Sequence, residues 1–231
     1  MLRLIGFFVL AVLLASLLGH LPLVGPFFRH TGLLGVFVAA ALLSFGLGRL
    51  GETFVRTRRL RAELQALGAV DSAHNRGKLG ALLLAHGRAG AARAHLAAAV
   101  AGEPDSAEWR YRLGLAELAA GDPSAALAAF EACVARAEGH AYGQALLRQA
   151  ECLQRLGRSE EALGVLARHE RNHGESPEVL YRRGRTLARL GRKAEARAAL
   201  ARVGELAAQA TRYQRAAARG WALRAALARY L

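Results

Sequence analysis

His169-Glu170-Arg171-Asn172-His173 is the stretch of this chain whose residue types and spacing could do chemistry. On a helix, side chains four apart share a face. The two imidazoles would then stand one turn apart and could hold zinc, with Glu170 drawing a proton from a bound water. Read that way, the chain is a zinc hydrolase. The neighbouring sequence argues against it. Gly174-Glu175-Ser176-Pro177 follows at once and brings no further histidine, so a third ligand would come from elsewhere, with Glu195 at a tolerable distance. Cys133 and Cys152 are separated by 18 intervening residues and form no CxxC pair. Two cysteines make no four-ligand zinc site, and both fall among apolar helical neighbours, which reads as buried, reduced thiols. The reading adopted is structural residues, with no catalytic residue, metal or cofactor.

The elements around this stretch repeat. Gly87, Gly121, Gly157 and Gly191 occupy the fifteenth place of a unit 34 residues long. Five places later stand Ala92, Ala126, Ala162 and Ala196, then Leu96, Phe130, Leu166 and Leu200. Seven places before the glycines stand Gly80, Gly114, Ala150 and Gly184. Small residues mark where two helices cross closely, and large apolar ones fill the space between. The units run 73–106, 107–140, 143–176 and 177–210, with Ala141 and Tyr142 inserted once. Gly121-Asp122-Pro123 reads as a helix stop, an N-cap and a first-turn proline. Ser176-Pro177 repeats the cap and proline, and Ser159 is expected to cap the second helix of unit three. No segment shows strand alternation. The fold expected is all-α: stacked helical hairpins over 73–210, closed by a capping helix over 211–231. Such stacks are usually binding surfaces rather than enzymes.

The Leu79-Gly80 and Leu113-Gly114 pairs, the four alanines, Phe130 and Pro104 give residues 73–210 a pattern that resembles the tetratricopeptide repeat (TPR) family. Gln149, Arg183 and His169 depart from it, the last where the family packs a small residue inward. The resemblance implies an α-solenoid with right-handed superhelical stacking and protein or peptide recognition on a concave face lined by the first helix of each unit. The sixth place of that helix reads Lys78, Arg112, Arg148 and Arg182. Arg155 and Arg189 share a later place, Arg185 adds to the fourth unit, and Tyr111 and Tyr181 precede the ladder by one residue. The side chains of Arg112, Arg148 and Arg182 are expected to be exposed. Guanidinium groups grip carboxylates in two-pronged hydrogen bonds, and tyrosines supply flat contact area. The groove therefore suits an acidic peptide, unless Glu108, Glu151 and Glu178 neutralise it into a solvated face. The family's chaperone-binding members use asparagines in such a clamp. Asn75 is the only asparagine in any first helix here and stands at another place, so the resemblance does not extend to that ligand.

The first 48 residues differ in composition. Between Arg3 and Arg29 lie 25 residues without formal charge, and Thr31 to Gly48 adds 18 more. A hydrocarbon core needs about 20 apolar residues as a helix, with a lower limit near 17. With Pro22, Gly25 and Pro26 as breakers, residues 1–48 read as a transmembrane helical hairpin, its first arm Leu4 to about Leu21. A cleaved signal peptide over Leu4–Leu18 is the alternative, but no clear small-x-small site follows. Five arginines fall between Arg49 and Arg61, against Arg29 in the turn. That bias predicts both ends, and the repeats, on the cytoplasmic side of the inner membrane. Residues 49–72 read as a linker helix with Leu60, Leu64 and Leu67 on one face. Arg56, Arg58, Arg59 and Arg61 form a basic cluster for anionic head groups, or merely satisfy the topology rule.

Net charge is +14, and 30 of the 32 basic residues are arginine. Residues 1–72 carry 7 basic and 3 acidic residues, and 73–231 carry 25 and 15. Such a field favours acidic partners, anionic lipid or nucleic acid. No nucleic-acid motif appears and aromatics are 6% of residues, so no specific nucleic-acid binding is expected. The sequence thus predicts a membrane-anchored, non-enzymatic scaffold that holds an acidic protein partner. The alternatives are a membrane-bound zinc hydrolase and a basic protein associated with anionic lipid or nucleic acid.

Overall fold

Each hairpin is made by a stop and a start a few residues apart. Gly87, Gly121, Gly157 and Gly191 take a left-handed backbone, with φ from +73° to +91°, a conformation that only glycine adopts without a Cβ clash. The next residue then donates its N–H to a carbonyl five back: Arg88 to Leu83, Asp122 to Glu117, Arg158 to Leu153 and Arg192 to Leu187, at 2.9–3.0 Å. Carbonyls left orphaned at the helix end are thereby satisfied. At the starts, Ser72, Ser106, Asp122 and Ser176 accept the backbone N–H three residues on. Ser159 does not cap. It is the first residue inside its helix, and the cap position falls to Arg158, whose guanidinium pairs with Glu161 at 2.6 Å.

The computed structural model describes Val9, Leu13 and residues 25–228. Within the first helix it describes the side chains of Val38, 41–49, Gly51, Phe54, Val55, Thr57, Arg58 and those from Leu60 onward. The chain divides into two compact units, Met1–Gln65 and Ala66–Leu231. The elements are α1 (Gly25–Gly68), the pairs α2 (Ala73–Ala85) and α3 (Ala89–Gly102), α4 (Ala107–Ala119) and α5 (Pro123–Arg136), α6 (Gln144–Arg155) and α7 (Ser159–His173), α8 (Pro177–Arg189) and α9 (Lys193–Gln209), and then α10 (Arg215–Ala228). A 3-10 turn, His140–Gly143, joins α5 to α6.

The amino end departs from expectation. The first arm of the hairpin and its Pro22 breaker lie outside the described residues, Val9 and Leu13 apart. Pro26 and Arg29, expected in a turn, are helical: proline in a first turn loses only an N–H that has no partner there. The expected linker helix is not separate either. It continues the second apolar stretch in one helix of 44 residues, because no proline interrupts the run. Among the described residues, no helix is long and apolar enough to cross a membrane. Leu60, Leu64 and Leu67 are half-buried on one face of α1.

In the repeats, the same rung recurs. A Cβ added at Gly80 would lie 2.5 Å from Leu96, at Gly114 2.6 Å from Phe130, and at Gly184 2.7 Å from Leu200. Ala150 and Leu166 share a buried cluster in the third unit. Neighbouring units share their cores. Leu127 and Phe130 bury with Cys152 and Leu153, Leu147 and Leu166 with Val179, and Leu180 and Leu200 with Ala225 and Ala228 of α10. Both cysteines are free and fully buried, and burial pushes each thiol up to about 11. The inserted Ala141 and Tyr142 adopt φ of 51° and 56°, followed by Gly143 at 74°. Left-handed backbone costs about 1–2 kcal/mol at each non-glycine residue.

Candidate binding face

Side chains tie the first helices α4, α6 and α8 to one another. Tyr111 of α4 packs against the buried cluster that holds Ala145 and Leu146 of α6. The Gln154 amide of α6 donates to Thr186 of α8, and Arg189 donates to the Gln154 carbonyl at 3.1 Å. On this face the expected ladder is largely neutralised. Arg112 pairs with Glu108. Arg148 and Arg155 pair with Glu151 at 2.7 and 2.9 Å. Arg182 pairs with Glu178 at 2.8 Å and reaches Glu151 at 3.4 Å. Burial alone would raise the Glu151 carboxyl, but Arg148, Arg182 and Arg155 outweigh it and hold it below its ordinary 4.5.

The expectation of exposed side chains fails for Arg148 and Arg182. Arg148 keeps 30% of its side-chain exposure and Arg182 only 13%. Lys78 is exposed. Glu108 also stands 3.1 Å from His140 Nε2, whose ring lies against Tyr111. At the far end, Arg185 reaches the Tyr181 hydroxyl at 3.5 Å, the Tyr181 and Trp221 rings meet at 5.4 Å, and Arg224 lies 4.6 Å over Trp221. Trp221 and Arg224 escaped sequence reasoning because they lie beyond the four units. The signal that could have found them is an aromatic in a closing helix otherwise rich in arginine.

On α1, Arg58 and Arg61 are exposed, and Arg58 lies 5.5 Å over Phe54. The side chains of Arg56 and Arg59 lie outside the described ones. Val38, Leu42, Leu43, Phe45 and Leu47 are exposed on the same helix.

The HExxH segment closes α7, and its residues point different ways. The His169 and His173 rings are 4.9 Å apart and pack on Gly143, where an added Cβ would stand 2.5 Å from His173 and 3.0 Å from His169. His169 is buried, its Nδ1 without a partner, and burial and the His173 charge lower its pKa against a weaker pull from Glu178. Glu170 turns to the next unit and accepts from Arg183 at 3.1 Å, while burial raises its carboxyl. A base aimed at Arg183 is not placed to activate a water held between the histidines. Glu195 is paired with Arg192 at 2.7 Å, and no group of three His, Cys, Asp or Glu side chains able to hold a metal gathers among the described residues. Arg183 and His169, both departures from the repeat pattern, are thus accommodated at the seams between units: one pairs across a seam and the other fills one.

A family model described as tetratricopeptide repeat matches residues 78–141, 112–177 and 147–210. No curated protein matches the chain. Among solved structures, a crystal structure of MamA is similar at 22% identity and a TM-score of 0.54, covering 59% of this chain and 80% of that one. The 41-to-end portion of MamA from Desulfovibrio magneticus RS-1 is similar at 17% identity and a TM-score of 0.53, covering 68% and 94%. TTC0263, a thermophilic TPR protein of Thermus thermophilus, is similar at 19% identity and a TM-score of 0.54, covering 78% and 96%. Likeness at this level is one of fold.

Proposed function

The chain belongs to the tetratricopeptide repeat family, and from that premise we propose that it is a non-enzymatic scaffold that holds an acidic segment of a protein partner on the face lined by its first helices. The observation that carries this reading is the recurrence of a basic residue at one place in all four units, three of them on the first helices α4, α6 and α8 that are tied together along one side. Extended acidic segments gain from such a row of guanidiniums and tyrosines. A photo-reactive residue at the exposed positions Lys78 and Arg189 should crosslink one and the same partner in cells. The same residue at Glu131 and Arg197, exposed on second helices, should not. Equal crosslinking from both sides would overturn the reading.

The proposal extends to location. Two uncharged stretches and the exposed apolar side chains of α1 support attachment to the inner membrane, and the arginines from Arg49 to Arg61 support repeats in the cytoplasm. Reporters fused after Leu231 and within residues 21–28 should report opposite compartments. Release of the full chain from membranes by alkaline carbonate would sink the attachment.

A further inference from the structure

The net charge of the repeats is not spread along them. Residues 73–176 hold 12 lysines and arginines against 12 acids, a sum of zero. Residues 177–231 hold 13 against 3, and from Thr211 onward there are five arginines and no acid. Pairing does not follow that division, since Arg183, Arg192 and Arg202 are paired as well, but on the face of the first helices it is uneven. Arg112, Arg148, Arg155 and Arg182 are each committed to Glu108, Glu151 or Glu178. Arg185, Arg189 and Arg224 make no ion pair among the described residues. Their contacts are a tyrosine hydroxyl, a backbone carbonyl and the face of Trp221. Arg185, Tyr181, Trp221 and Arg224 touch in sequence and join α8 to α10, with Arg189 one turn along α8.

We propose that the acidic segment is gripped at this end, by Arg185, Arg189 and Arg224 around the Tyr181–Trp221 pair, while the middle ladder holds the first helices together. The inference rests on the acidic-partner reading above. A guanidinium already paired must release one carboxylate to accept another, so the exchange gains little. An uncommitted guanidinium gains a charge-assisted hydrogen bond outright. The aromatic pair adds flat contact area, and its cation–π contact fixes Arg224 before the ligand arrives. The occupant is an extended protein segment presenting about three carboxylates, one for each guanidinium.

The test uses the full chain and a labelled decaglutamate peptide, with decaglutamine as the neutral probe, read by fluorescence anisotropy. Three triple variants remove the same charge: Arg185→Gln, Arg189→Gln and Arg224→Gln at the end; Arg112→Gln, Arg148→Gln and Arg182→Gln on the ladder; Arg88→Gln, Arg171→Gln and Arg197→Gln at exposed sites elsewhere. The exposed triple keeps the comparison valid if the half-buried ladder triple loses its helical circular dichroism. Wild type should prefer glutamate over glutamine, and the preference should fall with salt. The end triple should weaken it by about 10-fold or more, and the exposed triple by less than about 3-fold. Equal losses from the end and exposed triples would mean diffuse attraction to net charge and would overturn the inference. A loss confined to the ladder triple would overturn it while leaving the acidic-partner reading intact. No preference for glutamate in wild type would overturn both. If the end triple abolished binding to phosphatidylserine vesicles but left the peptide bound, the cluster would be a lipid surface and the inference would fail.

Discussion

Adding one methyl group at two helical glycines should move stability in opposite directions. Gly164 lies in α7, exposed, with nothing within 4 Å of an added Cβ. Gly164→Ala therefore only narrows the unfolded ensemble and raises helix propensity, a stabilisation of about 0.5–1 kcal/mol. Gly114 in α4 gains the same propensity, but its Cβ would stand 2.6 Å from Phe130 Cε1 and 2.8 Å from Cδ1 and Cζ. Phe130 cannot step aside. It is fully buried, with Tyr111 at 5.8 Å between ring centroids and Leu118, Leu127 and Leu153 in the same cluster. Overpacking a core costs about 1–3 kcal/mol, and a clash with a pinned ring belongs at or beyond the upper end. After the propensity gain, Gly114→Ala should destabilise by about 2 kcal/mol. At this chain length that lowers Tm by roughly 4–8 °C. Thermal and urea unfolding followed by circular dichroism will read both variants. A second substitution tests the cause: Phe130→Leu should cost less in the Gly114→Ala background than in wild type, with a coupling of about 1 kcal/mol or more. If Gly114→Ala raises Tm as Gly164→Ala does, or the pair is additive, the rung of glycine against phenylalanine does not hold the helices.

Glu151 accepts or faces three arginines, and Arg182 among them is mostly buried. Glu151→Ala should cost about 1–3 kcal/mol in urea unfolding, whereas Arg155→Gln, half-exposed, should stay within about 1 kcal/mol; equal effects would deny Glu151 its central place. With thiols pushed up to about 11 and no exposure, Cys133 and Cys152 should resist an aromatic disulfide reagent at pH 8 until urea unfolds the chain. Prompt labelling of the folded protein would contradict their burial. His169 titrates below its ordinary 6.5 in the folded state, so the unfolded chain takes up the proton first. Stability owed to neutral His169 is present above pH 6.5 and is lost as pH falls through that value. The Tm advantage of wild type over His169→Gln should therefore shrink between about pH 7 and pH 5, and a constant difference would refute it.

The hairpins were legible because their signals act within a few residues. Gly121 takes its left-handed turn and Asp122 its cap whatever the rest of the chain does. Pairing Gly114 with Phe130 was also legible, since 34-residue recurrence exposes which small and large positions travel together. The ladder was legible only as a row of charges. That Arg182 would be buried between Glu178 and Glu151 depends on a side chain from the preceding unit, and spacing within one helix carries no trace of it. His169 and His173 read as a metal pair because helical spacing alone sets them on one face. What they face is Gly143, brought there by two left-handed residues that the insertion announced in length but not in shape. In α1, a change from apolar to charged composition suggested a boundary at Gly48. Polarity does not end a helix; a proline does, and none stands there.

Because the rung of small residue against Leu or Phe recurs inside each hairpin, each 34-residue module carries its own internal lock. A gene that duplicated or lost a module by recombination would keep those locks whole, and only the seams between modules would have to match anew. The seam at Ala141–Gly143 is different. Its left-handed run and the two imidazoles seated on Gly143 fit no other junction among the described residues, so a crossover there would join surfaces with no counterpart. Length variation among descendants of this chain should accordingly spare the boundary between the second and third units and concentrate on either side of it.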